Sequence, residues 1–315
     1  MKILFAGTPE IAVPSLRAVA GRFPVVGVLT AVDKVSGRGK VFSPPAVKVA
    51  AQELALPVIQ PERLGTQARE AVRRVEPELL VCVAYGRIFG PRFLSLFPQG
   101  GVNLHPSLLP RHRGPSPMPA AILAGDEETG ITIQKLSQEM DTGDILSQER
   151  LPLSGRETTG TLTAIVAEKG ADLLVETLEA LEAGNVEAVA QEHARATYSS
   201  VIEKSDGLLN WSLSSEEIDR RVRAYQPWPG AYTFLNGERL MVHSCRVLGE
   251  DHPEFHRTTG EPGIVRGVDN ENGILVETGS GVIAVSTLQL QAKKPLDWKS
   301  FLNGHQTLIG TVLGE

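Results

Sequence analysis

Short apolar segments alternate with amphipathic segments along the first 184 residues. Segments 2–6 and 24–30 are apolar, whereas 11–19 between them has the spacing of a helix. The same pattern continues, with strands expected at 57–59, 79–84, 129–136 and 144–151 and helices expected at 46–54, 66–75 and 161–181. Strand, helix and strand in succession predict an α/β domain built on a mostly parallel sheet.

The pattern changes beyond residue 207. After a short helix expected at 215–224, the alternating stretches are short and separated by turn residues, at 230–234, 238–247, 263–268, 273–277 and 281–290. Short strands at this spacing predict a small all-β barrel. We therefore predict an N-terminal domain over 1–184, a linker over 185–206 and a C-terminal domain over 207–315.

Three polar residues with acid/base chemistry lie around a proline-rich loop. Asn103 and His105 follow the start of a strand, and residues two apart on a strand point to the same side. Asp141 lies farther along, in the polar turn 141–144. An amide, an imidazole and a carboxylate brought together by such loops indicate an acid/base site. Taken singly, Asn103 also fits an ordinary turn residue and Asp141 a loop cap.

The segment 31–45 is long for a connection between a strand and a helix. It is basic at Lys34, Arg38 and Lys40 and contains two glycines. The spacing alone fits either a solvated surface loop or a mobile basic segment that contacts phosphate.

Composition and charge narrow the class of protein. With 315 residues, 42% hydrophobic and 22% charged, the chain has the composition of a soluble globular protein. No apolar run reaches the roughly 18 residues that span a membrane, and no signal peptide is visible, so we expect a cytoplasmic protein with no membrane partner. A net charge of −6 argues against a uniformly basic face for nucleic acid, although a local basic contact is compatible with it.

Motifs for metal binding and for a serine nucleophile are missing from the sequence. Of the two cysteines, Cys82 lies in an apolar run and fits a core residue. His105 and His112 are not at a helical ligand spacing, and a proline separates His252 from His256. No G-x-S-x-G occurs. We expect no metal.

Seven motifs, taken together and in order, carry a family resemblance. They are FAGTPEIAVPSL (5–16), SGRGKVFSPPAVK (36–48), AYGRIFGP (84–91), NLHPSLLPRHRG (103–114), AGDEETGITI (124–133), MDTGDIL (140–146) and PWPGA (227–231). The chain resembles the folate-dependent formyltransferases from about Lys2 to Gly304, and its first two motifs narrow the resemblance to the methionyl-tRNA formyltransferase family. The resemblance implies a Rossmann-like formyltransferase domain followed by a smaller C-terminal OB-like β-barrel domain.

The resemblance also implies an activity and its residues. A member of the family would move a formyl group from 10-formyltetrahydrofolate, its co-substrate, to the α-amine of initiator methionyl-tRNA, as a cytoplasmic monomer. By matched position, the catalytic residues are Asn103, His105 and Asp141. Folate binding is implied for Ser107, Leu108, Leu109, Pro110, Tyr85, Arg87 and Ile88. Contact with tRNA is implied for Arg38, Lys40 and Lys34.

Several positions depart from the family pattern, among them Arg87 and Gly90, where an apolar residue and a proline are usual. His112 stands where an aromatic residue is usual, Pro119 where the loop often has glutamine, and Val41 where a second lysine is common. None of these changes removes a catalytic group. They concern the detailed lining of the folate pocket and the strength of the contact with tRNA.

The implied reaction has specific chemical demands. A tetrahedral centre with a developing oxyanion needs hydrogen-bond donors, which the Asn103 amide and a protonated His105 can supply. We hypothesise that Asp141 orients His105 and favours its charged form. Asp141 can also accept the proton of the attacking amine.

Two other functions are compatible with parts of this pattern. A folate-dependent N-formyltransferase acting on a nucleotide-linked amino sugar would share the three catalytic residues, although the basic segment 31–45 favours tRNA. A non-catalytic RNA-binding module is the other alternative, and the intact catalytic residues and folate signature argue against it.

Overall fold

A seven-stranded sheet organises the N-terminal part of the protein. The computed structural model describes residues 1–36, 41–249, 251–253 and 260–314. The strands of this part are β1 (Ile3–Gly7), β2 (Val25–Leu29), β3 (Lys34–Ser36), β4 (Val41–Ser43), β5 (Val58–Ile59), β6 (Leu79–Val83), β7 (Gly101–His105), β8 (Glu128–Lys135) and β9 (Ile145–Pro152). The sheet order is β5-β2-β1-β6-β7-β8-β9, parallel from β5 to β7 and antiparallel at β8 and β9. The predicted mostly parallel α/β sheet is confirmed.

Side chains on both faces of this sheet are buried. The helices are α1 (Val13–Ala20), α2 (Ala46–Glu53), α3 (Thr66–Arg74), α4 (Pro91–Leu94), α5 (Pro117–Ala124) and α6 (Thr159–Glu182). Successive residues of β1 point to opposite faces: Ile3 and Phe5 join a core with residues of α1, α2 and α6, whereas Leu4 and Ala6 join one with α3 and α4. Burial on both faces explains why these strands are continuously apolar in sequence.

The loops of the N-terminal part contain structure that was not predicted. Strands β3 and β4 pair antiparallel, so part of the expected loop 31–45 is a hairpin. The segment contains valine and phenylalanine, which favour strands. The proline-rich loop gives way to α5 at Pro117, because proline is tolerated in the first turn of a helix.

A six-stranded antiparallel sheet forms the C-terminal part. Its elements are α7 (Ser215–Ala224), β10 (Ala231–Leu235), β11 (Glu238–Val247), β12 (Val265–Asp269), β13 (Gly273–Glu277), β14 (Val282–Leu290), β15 (Leu296–Asp297) and α8 (Trp298–Gly304). A capping box between Ser214 and Glu217 begins α7, whose Ile218 and Val222 join the sheet core. The predicted C-terminal all-β fold is confirmed. Within the described residues, no helix is both long and apolar enough to cross a membrane.

The described chain divides into two compact units. One contains residues 1–118, 128–153 and 161–200, and the other contains 119–127, 154–160 and 201–315. Residues 185–200 therefore belong with the first sheet, where the backbone N–H and carbonyl of Val189 both bond to Ile145. The domain boundaries drawn from the sequence stay a prediction.

Candidate active site

Four polar side chains share one face of the first sheet. Asn103 and His105 lie two residues apart on β7, and their direct neighbours on β8 are Gln134 and Thr132. Residues directly opposite in a sheet point to the same side. The residues between them belong to the core on the other face: Val102, Leu104, Ile131 and Ile133. As their spacing predicted, Asn103 and His105 face the same way.

The turn after β8 brings Asp141 to this polar face. Its Oδ1 accepts a hydrogen bond from Gln134 Nε2 at 3.0 Å, and its Oδ2 accepts one from the Gly114 N–H at 2.8 Å. The backbone φ of Asp141 is 56°, in the left-handed region that a Cβ disfavours. A Cβ at Gly143 would lie 1.8 Å from the Lys135 carbonyl oxygen, so the turn requires glycine there. Two separate segments thus hold Asp141 in a strained conformation.

His105 is buried against Asp141. Its Nδ1 lies 3.6 Å from Asp141 Oδ1, and its Nε2 donates to the His112 carbonyl oxygen at 2.9 Å. Because a carbonyl only accepts, Nε2 carries the proton. Burial lowers the pKa of His105, while the Asp141 charge and the His112 hydrogen bond oppose the shift. Asp141 does favour the charged form, as expected, but desolvation outweighs it. The net direction is toward a lower pKa, which favours the neutral ring, and the role expected of a protonated His105 stays a prediction.

A threonine hydroxyl on β8 pins the loop that carries the predicted folate signature. Thr132 Oγ1 donates to the Ser107 carbonyl oxygen at 2.6 Å and accepts from the Leu109 N–H at 3.2 Å. Ser107 and Leu109 are buried, whereas Leu108 and Pro110 are partly exposed. Within this signature, the partly exposed residues can meet a ligand and the buried ones build the loop.

The other predicted folate residues follow β6, whose carboxyl end lies beside that of β7. Tyr85 is buried and stacks on Phe89 with ring centroids 5.3 Å apart. Arg87 donates from Nη1 to the Pro61 carbonyl oxygen at 2.9 Å. Ile88 is 77% exposed, which leaves an apolar side chain open at this edge of the sheet.

Of the three basic residues expected to contact tRNA, only Lys34 is described. It is exposed at the start of the β3–β4 hairpin. Arg38 and Lys40 lie outside the described residues, so their predicted role rests on the sequence.

Two residues that hold Asp141 through their side chains were not predicted as site residues: Gln134 and Gln191. Gln191 Nε2 donates to the Asp141 carbonyl oxygen at 3.0 Å and to the Gly143 carbonyl oxygen at 2.7 Å. Alternation along β8 could have placed Gln134 on the polar face. No local pattern marks Gln191, which lies in the expected linker.

The described residues around the site were also compared with the needs of a metal ion and of a reactive thiol. In the described ranges, no three His, Cys, Asp or Glu side chains are grouped so that they could hold a metal ion. Burial raises the pKa of Cys82 to about 12, so its thiol is neutral. Cys82 packs in a core cluster with Leu4 and Leu80, as predicted.

Comparison with known proteins identifies the family. A family model described as formyl transferase matches residues 1–178, and one described as formyl transferase C-terminal domain matches residues 201–306. A methionyl-tRNA formyltransferase of Treponema denticola is 47% identical over 312 residues, which cover 96% of this chain and 97% of that protein. The chain belongs to the methionyl-tRNA formyltransferase family. The resemblance drawn from its motifs is confirmed.

Solved structures share the fold of this formyltransferase family member. HypX of Aquifex aeolicus, in complex with tetrahydrofolic acid, matches with a TM-score of 0.63 and 18% identity over 98% of this chain. This chain spans 48% of the HypX chain, about half of its length. An N-formyltransferase of Helicobacter canadensis, in complex with folinic acid and dTDP-3-aminofucose, matches with a TM-score of 0.66 and 19% identity over 92% of this chain and 100% of that one.

Proposed function

We propose that this protein transfers the formyl group of 10-formyltetrahydrofolate to the α-amine of initiator methionyl-tRNA, with Asn103, His105 and Asp141 as its catalytic residues. The observation that carries the proposal is the His105 ring facing the Asp141 carboxylate at 3.6 Å, on the same sheet face as Asn103. It occurs in a chain whose full length matches methionyl-tRNA formyltransferases.

The His105–Asp141 pair accepts a proton in this scheme. In the neutral ring Nδ1 has a lone pair, and it faces a carboxylate oxygen, so two acceptors oppose each other. A proton taken up by Nδ1 is stabilised by the adjacent negative charge. An attacking amine must lose a proton and the leaving nitrogen must gain one, and the pair serves both steps.

Asn103 supplies the hydrogen bond to the oxygen that gains charge. Its side chain is partly exposed, and among the described residues its amide has no hydrogen-bond partner. An amide N–H in such a place can point at a developing oxyanion. One donor of this kind typically lowers the barrier by about 3–4 kcal/mol.

The residues beside the site fit a flat folate ring system. The folate supplies the formyl group when it is bound. Ile88 is 77% exposed and Leu108 is partly exposed, so both offer apolar surface at the carboxyl edge of the sheet. The backbone at 107–110 is fixed by Thr132, which keeps its polar groups in place. We assign Ser107, Leu108, Leu109, Pro110, Tyr85, Arg87 and Ile88 to this subsite.

The acceptor is a charged tRNA in this proposal. Lys34, Arg38 and Lys40 contact its phosphates, which lysine and arginine do in most nucleic-acid complexes. We further propose that the protein works as a monomer in the cytoplasm, where the initiator tRNA is used.

Supplying the purified protein with 10-formyltetrahydrofolate and competing acceptors tests the proposal. Initiator methionyl-tRNA should be formylated at its amine, and a dTDP-linked amino sugar should not. Formylation of the sugar alone would replace the tRNA assignment with the amino-sugar alternative. Binding of tRNA without turnover of the folate would indicate the non-catalytic RNA-binding module.

A further inference from the structure

Arg113 is a buried cation without a carboxylate partner. It is 1% exposed and heads the fully buried side chains by volume. Its guanidinium donates to Gln191 Oε1 from Nε at 3.1 Å and from Nη2 at 2.6 Å, and Nη2 also donates to His193 Nδ1 at 3.1 Å. Nη1 donates to the Tyr198 hydroxyl at 3.4 Å, and none of these partners in the described ranges is a carboxylate. A guanidinium stays charged in proteins, so burying it this way is costly.

The hydrogen bonds that begin at Arg113 have one direction. Because Arg113 only donates, it fixes Gln191 with its oxygen toward the guanidinium and its nitrogen pointing away. Gln191 Nε2 then donates to Gln134 Oε1 at 3.3 Å, and Gln134 Nε2 donates to Asp141 Oδ1 at 3.0 Å. Each amide can therefore be oriented in only one way.

The same series of hydrogen bonds also fixes the backbone of the turn that carries Asp141. Gln191 Nε2 bonds to the carbonyl oxygens of Asp141 and Gly143. An inverted Gln191 amide would place its oxygen against these two carbonyls and against Gln134 Oε1. Those contacts would be repulsive, and the strained φ of Asp141 would lose its support.

We propose that Arg113 is a positioning residue for Asp141, acting through the oriented amides of Gln191 and Gln134. The inference rests on the proposed function, because it concerns the carboxylate that faces His105. Arg113 touches no reacting atom. Its charge fixes the polarity of both amides, and the amides fix the carboxylate.

Four variants test this series of hydrogen bonds: R113M, R113K, Q191M and Q191E. R113M and Q191M should each lower kcat at least tenfold, with the KM values for folate and tRNA within threefold of wild type. R113K keeps the positive charge but lacks the planar guanidinium that donates from two nitrogens, so its kcat should lie between those of R113M and wild type. Q191E keeps a partner for Arg113 while turning an acceptor toward the Asp141 carbonyl, so it should lose as much kcat as Q191M.

A pH profile separates positioning from a general structural role. The Asp141 charge raises the pKa of His105, so a displaced Asp141 should move the acid limb of the kcat/KM profile to lower pH. Of the other groups near His105, Thr132 is uncharged and the Cys82 thiol is neutral. A charge on the His112 side chain lowers the pKa of His105, and His112 is unchanged in all four variants. The matched control is T177V, which removes a buried hydroxyl whose partners among the described residues are Ser147 and Leu173.

The outcomes separate this inference from the proposed function. Wild-type protein that fails to formylate methionyl-tRNA would remove the proposed function itself. If the wild-type protein is active, the double variant R113M/Q191M should be no more than twofold slower than the slower single variant. Both substitutions interrupt the same series of hydrogen bonds, so their effects should not add. Folded single variants with kcat within twofold of wild type, an unmoved acid limb, or losses that multiply in the double variant would overturn the positioning role. Movement of the limb in T177V would also overturn it.

Discussion

At the scale of single residues, the site depends on groups held in states they would not adopt in water. Asp141 and His112 both have φ in the left-handed region, at 56° and 54°. The His112 carbonyl oxygen accepts a hydrogen bond from His105 Nε2, and the Asp141 carboxylate faces the other ring nitrogen. The two strained residues are therefore those that contact the two ring nitrogens of His105: one fixes the tautomer and the other places a carboxylate beside the ring.

The lowered pKa of His105 predicts the pH dependence of turnover. Below the ordinary histidine pKa of about 6.5, an unfolded or exposed His105 would be protonated, whereas the buried ring stays neutral until a lower pH. If the neutral ring is the proton acceptor, kcat/KM should stay level from pH 7.5 to about 6.5 and fall only below that. Rates measured across pH 5–8 check this. A kcat/KM that rises as the pH falls through 6.5 would instead show that the charged ring is the active form.

The same shift predicts how stability depends on pH. The folded-state pKa lies below the unfolded-state value, so the contribution is fully present above about pH 6.5 and is lost as the pH falls toward the folded pKa. The free energy of unfolding, from urea titrations at pH 7 and pH 5, should therefore fall less in H105Q than in wild type. An equal fall in both proteins would contradict the assigned direction of the shift.

Asp141→Asn should separate catalysis from binding. The substitution keeps the size of the side chain but removes the charge that stabilises a protonated His105. We expect kcat to fall about 100-fold, equivalent to about 2.7 kcal/mol of barrier, with smaller changes in KM. Asp144→Asn is the matched control, because Asp144 is partly exposed and pairs with Lys135 at 3.2 Å. Steady-state kinetics on both variants check the assignment, and unchanged turnover in D141N would refute it.

Sequence reasoning reaches the residues of the site unevenly. Asn103 and His105 follow from strand alternation, and Asp141 follows from its motif. Gln191 is 50 positions from Asp141 in sequence, and their contact depends on how 185–200 packs against the sheet. The lowered pKa of His105 likewise follows from burial, which no local pattern reveals.

At the scale of elements, β7 and β8 bind the functional loops to the sheet. Thr132 on β8 bonds to both Ser107 and Leu109, and Gln148 on β9 donates to the Leu109 carbonyl oxygen at 2.9 Å. The loop at 107–110 therefore takes its shape from two neighbouring strands. A loop fixed in this way can present its backbone to a ligand without ordering on binding.

Thr132→Val should weaken folate binding and stability together. The valine leaves the Leu109 N–H and the Ser107 carbonyl buried without their partner, which should lower the free energy of unfolding by about 2–4 kcal/mol. The KM for 10-formyltetrahydrofolate should rise about tenfold, equivalent to about 1.4 kcal/mol. Thr129→Val is a control on the same strand, because the buried Thr129 hydroxyl has no partner among the described residues. Urea titration and kinetics should show little change in T129V, and an unchanged KM in T132V would argue against this loop as the folate subsite.

Element prediction succeeded where burial leaves a periodic signal. The helix at 215–224 and the strands at 238–247 and 273–277 were predicted with the bounds that the structure shows. Helix α8 was missed although Asp297 caps it by accepting from the Lys299 and Ser300 N–H groups. Its seven residues are too few for a clear helical period, so tertiary packing of Phe301 defines it.

At the scale of the whole molecule, a net charge of −6 opposes the approach of a polyanion. An acidic protein that acts on tRNA must therefore concentrate its attraction locally. The basic segment around the β3–β4 hairpin is the place the sequence offers, with Lys34 exposed at its start. Binding through few cations makes affinity sensitive to each of them and to salt.

Removal of the cations in the basic segment should change the affinity for tRNA alone. R38A and K40A should each raise the KM for methionyl-tRNA while leaving the KM for 10-formyltetrahydrofolate within twofold, because a lost phosphate contact weakens only the polyanion. Each should also reduce the slope of log affinity against log salt by about 1. R195A is the matched control, since Arg195 is 75% exposed but pairs with Glu192 at 3.0 Å, so its charge is locally offset. Filter-binding titrations across salt concentrations give the slopes. Slopes for R38A and K40A equal to that of wild type would place the tRNA contact elsewhere, because a phosphate-binding cation cannot be removed without changing the number of released counterions.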